Sequence, residues 1–170
     1  GTIRVTASNR LFVGTEVPAT GKGRLTLFKR ILLPTDGSEH ALKAAKIALK
    51  FARELNAQVE ILSVVAMPEK TIHLLELIPD FNEIKFENQF KKKGQDIVAL
   101  TAAAFEQAGV SHTTRVELGD PAETICQVIE QDKVDLVIIG SRGKSLSRFV
   151  MGSVSTKVSQ CATCPVMIVR

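Results

Sequence analysis

The chain has 170 residues, 45% of them hydrophobic, with 22 Lys and Arg against 18 Asp and Glu and a net charge of +4. That length fits one domain, or one domain with an extension, and the apolar fraction can build a core without disulfide staples. The charge excess is small and spread out, which suits an anionic ligand and gives no reason to expect nucleic acid; no apolar stretch reaches membrane-spanning length and no signal peptide is evident, so a soluble cytoplasmic protein is expected.

Residues 1–27 read differently from the rest. Thr2 to Thr6 alternates polar and apolar, as a half-buried strand would, and Leu11-Phe12-Val13 suits a second short strand before a loop from Pro18 to Gly23. The stretch is read as a flexible extension, with an added hairpin lying on the domain as the alternative.

From residue 28 a regular alternation begins. Arg30 to Leu33 is a short apolar run ended by Pro34. Ser38 is placed to cap a helix whose Ala41, Ala44, Ala45, Ala48, Phe51, Ala52 and Leu55 recur at helical spacing, with Asn56 as its stop. Val59 to Val65 is a second strand. A long connection over 66–82 carries Pro68 and Pro79, and a helix follows from about Glu83 to Ala108, closed by Gly109. Thr113 to Leu118 alternates like a strand near a sheet edge. Asp120-Pro121-Ala122-Glu123 combines a cap, a proline at the first helical position and an early carboxylate. Val134 to Ile139 is an unbroken apolar strand, a short helix follows Gly152, and Pro165 to Val169 is the last strand. Strands this apolar are buried on both faces, which predicts a parallel sheet covered by helices, with its ligand crevice at the strand carboxyl ends.

Two segments at strand carboxyl ends carry special residues: Pro34-Thr35-Asp36-Gly37-Ser38, and Gly140-Ser141-Arg142-Gly143 continuing through Lys144 to Gly152-Ser153-Val154-Ser155. Glycines there let the backbone approach a ligand, Gly152 opens a helix whose free amides favour an anion, Arg142 and Lys144 add positive charge, and Ser153 and Ser155 add hydroxyls. Gly143-Lys144-Ser145 resembles the end of a Walker A loop, but the glycine required five positions earlier is Ile138, and the first loop lacks the dinucleotide three-glycine spacing. The 3 cysteines, Cys126, Cys161 and Cys164, are too few and odd for a secreted disulfide framework. Cys161-x2-Cys164 lacks a second pair, and Cys161 is expected as a small buried hydrophobe beside Val154 and Val158. His40, His73 and His112 are scattered and are expected at the surface. No metal site is expected.

From Ile31-Leu-Leu-Pro-Thr-Asp36-Gly-Ser38, Gly119-Asp-Pro, Asp135-Leu-Val-Ile-Ile-Gly140-Ser-Arg-Gly143, Leu146 through Gly152-Ser-Val-Ser155 and the ending Cys164-Pro-Val-Met-Ile-Val169, the chain resembles the universal stress protein family over about residues 29–170. The resemblance implies an α/β fold, adenine nucleotide alpha-hydrolase-like, with an open five-stranded parallel sheet in order 3-2-1-4-5 and helices on both faces, in a homodimer. In the branch patterned G-x2-G-x9-G-[ST] it implies ATP, with or without Mg²⁺. Here Gly143 and Gly152 enclose eight residues rather than nine. Carried over by position, Pro34, Thr35, Asp36 and Val64 would line the adenine and ribose, Ile139, Gly140, Arg142 and Gly143 would flank ribose and phosphates, and Gly152, Ser153, Val154 and Ser155 would hold the phosphates. The function expected is an ATP-binding regulator of the stress response with an unidentified protein partner. No base or carboxylate set for catalysis is evident, so no catalytic residue is expected and hydrolysis would be slow. A same-fold interaction module that binds no nucleotide is the alternative. Residues 165–169, apolar and last in the order, are expected as a free edge that pairs with a second copy, with shielding by the N-terminal segment as the other outcome.

Overall fold

A computed structural model describes residues 4–6, 28–66, 83–143 and 151–170; the side chains of 4–6 and 83–87 are not discussed. The expected alternation is present: β1 (Arg4–Thr6), β2 (Arg30–Pro34), α1 (Glu39–Leu55), β3 (Gln58–Val65), α2 (Glu83–Gln107), β4 (His112–Leu118), α3 (Pro121–Gln131), β5 (Leu136–Gly140), α4 (Ser153–Cys161) and β6 (Val166–Val169). The second N-terminal strand, the loop at 18–23 and the connection around Pro68 and Pro79 lie outside the described residues.

The sheet runs β1-β6-β5-β2-β3-β4. Strands β2 to β6 are parallel neighbours in the order 3-2-1-4-5, counted from β2. β1 is an added antiparallel neighbour, with Arg4 opposite Ile168 and Thr6 opposite Val166. The expectation of a free edge at 165–169 is therefore corrected. The outer side of β6 carries a strand of the same chain, because residues 4–6 supply the backbone partners that an apolar edge otherwise leaves open.

Alternate residues of each strand feed two cores. Ile31, Leu33, Val59, Ile61, Leu136 and Ile138 pack beneath the alanine face of α1 and beneath Val98, Ala102 and Phe105 of α2. Leu32, Leu62, Val137, Ile139 and Ile168 pack against Ile125, Val128 and Ile129 of α3 and Val158 of α4. Small residues let α1 sit close. A Cβ on Gly140 would lie 2.8 Å from the His40 carbonyl carbon and 2.9 Å from the Ala41 nitrogen. The helix ends are those expected. Ser38 caps α1 by accepting from Ala41 N–H, and Asn56, at φ 55, closes it in the left-handed region. Gly109, at φ 63, closes α2. Among the described residues, no helix is long and apolar enough to cross a membrane.

Candidate functional site at the switch of strand order

β2 has β3 on one side and β5 on the other, so the chain reverses its direction of winding between β2 and β5. Their ladder pairs Ile31 with Leu136 and Leu32 with Val137, although the strands run on to Pro34 and Gly140. The two loops that leave them meet at the carboxyl end of the sheet, where open α/β folds place ligands.

In the first loop, Pro34 is buried at the end of β2. Thr35 turns towards α2. Its N–H donates to Leu62 C=O at 2.8 Å, and its hydroxyl lies 3.4 Å from that of Thr101 while accepting from Gly37 N–H at 3.3 Å. Gly37 has φ 71, a region that glycine enters without strain. Half-buried Asp36 accepts from Ser38 N–H at 2.9 Å through Oδ1. The Ser38 hydroxyl accepts from Ala41 N–H at 3.2 Å and donates to Arg142 C=O at 3.3 Å, tying the first loop to the second.

In the second loop, Ser141 is the knot. Its N–H donates to Val169 C=O at 2.7 Å, and its C=O accepts from Gly152 N–H at 2.8 Å and from the Ser155 hydroxyl at 3.1 Å. The Ser141 hydroxyl is buried and has no hydrogen-bond partner among the described residues. Exposed Gly143 lies over Asp36: a Cβ there would stand 2.8 Å from Asp36 Oδ2. Gly152 is the N-cap of α4 and offers no side-chain acceptor. The amides of Ser153, Val154 and Ser155, which no earlier helical carbonyl can reach, thus receive no cap from the Gly152 side of the helix among the described residues. Lys144 and residues 145–150 lie outside the described residues.

Asp36, Ser38, Gly140 to Gly143 and Gly152 to Ser155 are thus gathered at one place, while three expected residues have different surroundings. Thr35 faces the α2 side, and Ile139 is only 5% exposed, packed in the α3–α4 core with half-buried Val64 against the same cluster. The Ser155 hydroxyl is 2% exposed and is spent on Ser141 and Gly152 carbonyls, so it braces the loop rather than presenting a donor outward. The backbone of α1 at His40 and Ala41 leaves no room for a side chain at Gly140.

Sequence reasoning missed His40. The expectation of a surface position is corrected: its Nε2 lies 3.1 Å from Arg142 Nη2 within the site, because it stands in the first turn of the helix that the first loop opens. His112 is also half-buried, against Phe105, with Nδ1 at 2.9 Å from Val110 C=O; His73 lies outside the described residues. The cysteine expectation is corrected as well. Cys161 is exposed and forms a disulfide with Cys126, their Cα atoms 6.1 Å apart, so it joins α4 to α3 instead of filling a core. Cys164 is the free thiol; burial first, then the charge of Asp135, pushes it up to about 11, far from a reactive thiolate.

Arg115 pairs with Glu117 at 2.7 Å, Asp132 at 2.9 Å and Glu60 at 3.7 Å. Burial holds the Glu60 carboxyl above its ordinary range. A cavity of about 680 Å³ lies at the opposite, amino end of the sheet, lined by residues such as Lys29, Arg53, Asn56 and Gly109, and includes none of the two loops.

The model of the universal stress protein family matches residues 27–170. The chain belongs to the universal stress protein family. Universal stress protein YxiE of Bacillus subtilis is 34% identical over 148 residues, covering 85% of this chain and 100% of that protein. Among solved structures, the family protein MJ0577 of Methanocaldococcus jannaschii superposes with a TM-score of 0.72 at 30% identity, over 84% of this chain and 96% of that one. A universal stress protein family member from Arabidopsis thaliana, solved with AMP bound, shares the fold at a TM-score of 0.59 and 20% identity, over 83% of this chain and 90% of its own. The fold is accordingly adenine nucleotide alpha-hydrolase-like, and the order 3-2-1-4-5 is that of the family.

Proposed function

We propose that this universal stress protein binds ATP or a related adenine nucleotide at the two loops and acts as a regulatory module of the cytoplasmic stress response, as a homodimer rather than an enzyme. Residues 28–170 are the binding domain and residues 1–27 an appended segment. One observation carries the reading. At the switch of strand order the first turn of α4 has no side-chain cap among the described residues, and the amides of Ser153, Val154 and Ser155 stand there beside Gly143 and Asp36. Those donors and the helix dipole fit phosphate oxygens, and the Asp36 carboxylate is an acceptor of the kind that a ribose hydroxyl needs. Arg142 supplies positive charge, and Mg²⁺, if bound, would travel with the phosphates. The AMP found in the Arabidopsis thaliana relative supports an adenine nucleotide as the ligand class.

Calorimetry of the full chain with ATP and with AMP tests the reading. Gly143→Val should lose binding while keeping the fold, because its side chain would enter the space of the Asp36 carboxylate. ATP turnover should stay well below the median enzyme rate of about 10 per second. No heat and no thermal shift at millimolar nucleotide would overturn the proposal. The interaction-module reading, which the eight-residue span between Gly143 and Gly152 keeps open, would then take its place.

A further inference from the structure

The outer edge of β6 is taken by the chain itself, and the register says how. On its inner side the carbonyls of Pro165 and Val169 accept from Val137 and Ser141. Backbone groups alternate along a strand, so the N–H and C=O of Val166 and Ile168 point the other way, towards β1. Arg4 with Ile168 and Thr6 with Val166 are then the hydrogen-bonded pairs, and Val5 with Met167 is the non-bonded pair between them. The acceptor strand is apolar throughout, Val166 to Val169, each residue buried. Its edge has neither the lysine nor the internal proline that keeps lone edges apart.

A second copy of this chain offers the same strand. Two β6 strands related by a two-fold axis through Met167 run antiparallel, and each uses the Val166 and Ile168 groups of the other. These are the groups that β1 occupies, so β1 and a second β6 exclude one another. We propose that β1 is an internal gate on self-association: with residues 4–6 in place the chain is a monomer, and a second copy docks on β6 when they leave. The gate rests on the homodimer reading above. Its ladder is only three residues long, and its advantage is that it is tethered. A tethered strand competes at an effective concentration set by its linker, whereas a second copy gains by mass action. Closed and open forms can therefore exchange with protein concentration.

The test uses the full chain and sedimentation velocity over a concentration series. Thr6→Pro removes an N–H that the ladder needs; it should lower the dimer dissociation constant at least about tenfold and make the chain more susceptible to trypsin at Arg4. Val5→Cys with Met167→Cys places two thiols at the non-bonded pair, where Cα atoms stand about 4.5 Å apart, within disulfide reach. Oxidised within one chain, it should remain monomeric at every concentration. Equal dissociation constants for the parent chain and Thr6→Pro overturn the gate while leaving the homodimer reading intact. A Thr6→Pro protein that loses protection at Arg4 yet stays monomeric at the highest concentration overturns the homodimer reading and the gate with it. Cross-links mapped by mass spectrometry between chains, rather than within one, overturn the internal gate in favour of an exchanged strand.

Discussion

Helices α3 and α4 lie on the same face of the sheet and are joined through Cys126 and Cys161, yet their first turns are finished differently. At α3, Asp120 accepts from the amides of Ala122 at 2.9 Å and Glu123 at 3.0 Å, and Pro121 has no amide to satisfy. That terminus is closed by its own residues. At α4 the capping position is Gly152, whose amide is committed to Ser141 C=O and which has no side chain to return a bond. The α3 terminus has its first amides satisfied by its own cap. The α4 terminus keeps donors that only a group from outside the helix can satisfy, and it sits beside Gly143 and Asp36 where strand order reverses.

Three experiments act on that contrast. The largest effect is expected from the link between the helices. The disulfide closes a sequence separation of 35 residues, so reduction, or Cys126→Ser with Cys161→Ser, should cost roughly 2–4 kcal/mol in urea unfolding on the chain-entropy model. A midpoint unmoved by reductant would mean that packing alone holds α4 to α3. Next, Gly152→Asp gives α4 the cap that α3 has. Its carboxylate should take the open amides and repel phosphate, lowering ATP affinity about tenfold or more, close to 1.4 kcal/mol. Gly152→Asn, a neutral cap, should lower it less; calorimetry compares the two, and unchanged affinity in both would separate the open turn from ligand binding. The smallest effect is at α3. Asp120→Ala should destabilise the fold by about 1 kcal/mol with no change in nucleotide affinity. A change in affinity there would show that the two termini do not have separate roles.

The α3 terminus is legible in the sequence, because its cap, proline and carboxylate are consecutive in the chain and act within one turn. The same holds for Ser38 and Asn56 at the ends of α1. The α4 side is legible only as a pattern. Gly140, Gly143 and Gly152 can be found by spacing, but their duties differ: Gly140 admits the backbone of α1, Gly143 stands against Asp36, and Gly152 leaves a helix uncapped. Ser155 reads as a donor beside a glycine, and its burial is visible only once Ser141 C=O is seen above it. His40 is alone in the sequence and acquires a role through Arg142, 102 residues away.

Periodicity and end signals in the sequence determined the elements, the parallel sheet and the place of the two loops, since each depends on residues a turn or two apart and on which faces must leave water. The family motifs determined strand order by resemblance. Tertiary structure alone decided what each polar group is spent on. The Cys126–Cys161 link, the bond from Ser38 to Arg142 and the seating of residues 4–6 on Val166 to Ile168 join segments far apart in the chain. No local pattern encodes them, because a thiol, a hydroxyl or an open strand edge takes whatever complementary group the packed fold brings within reach.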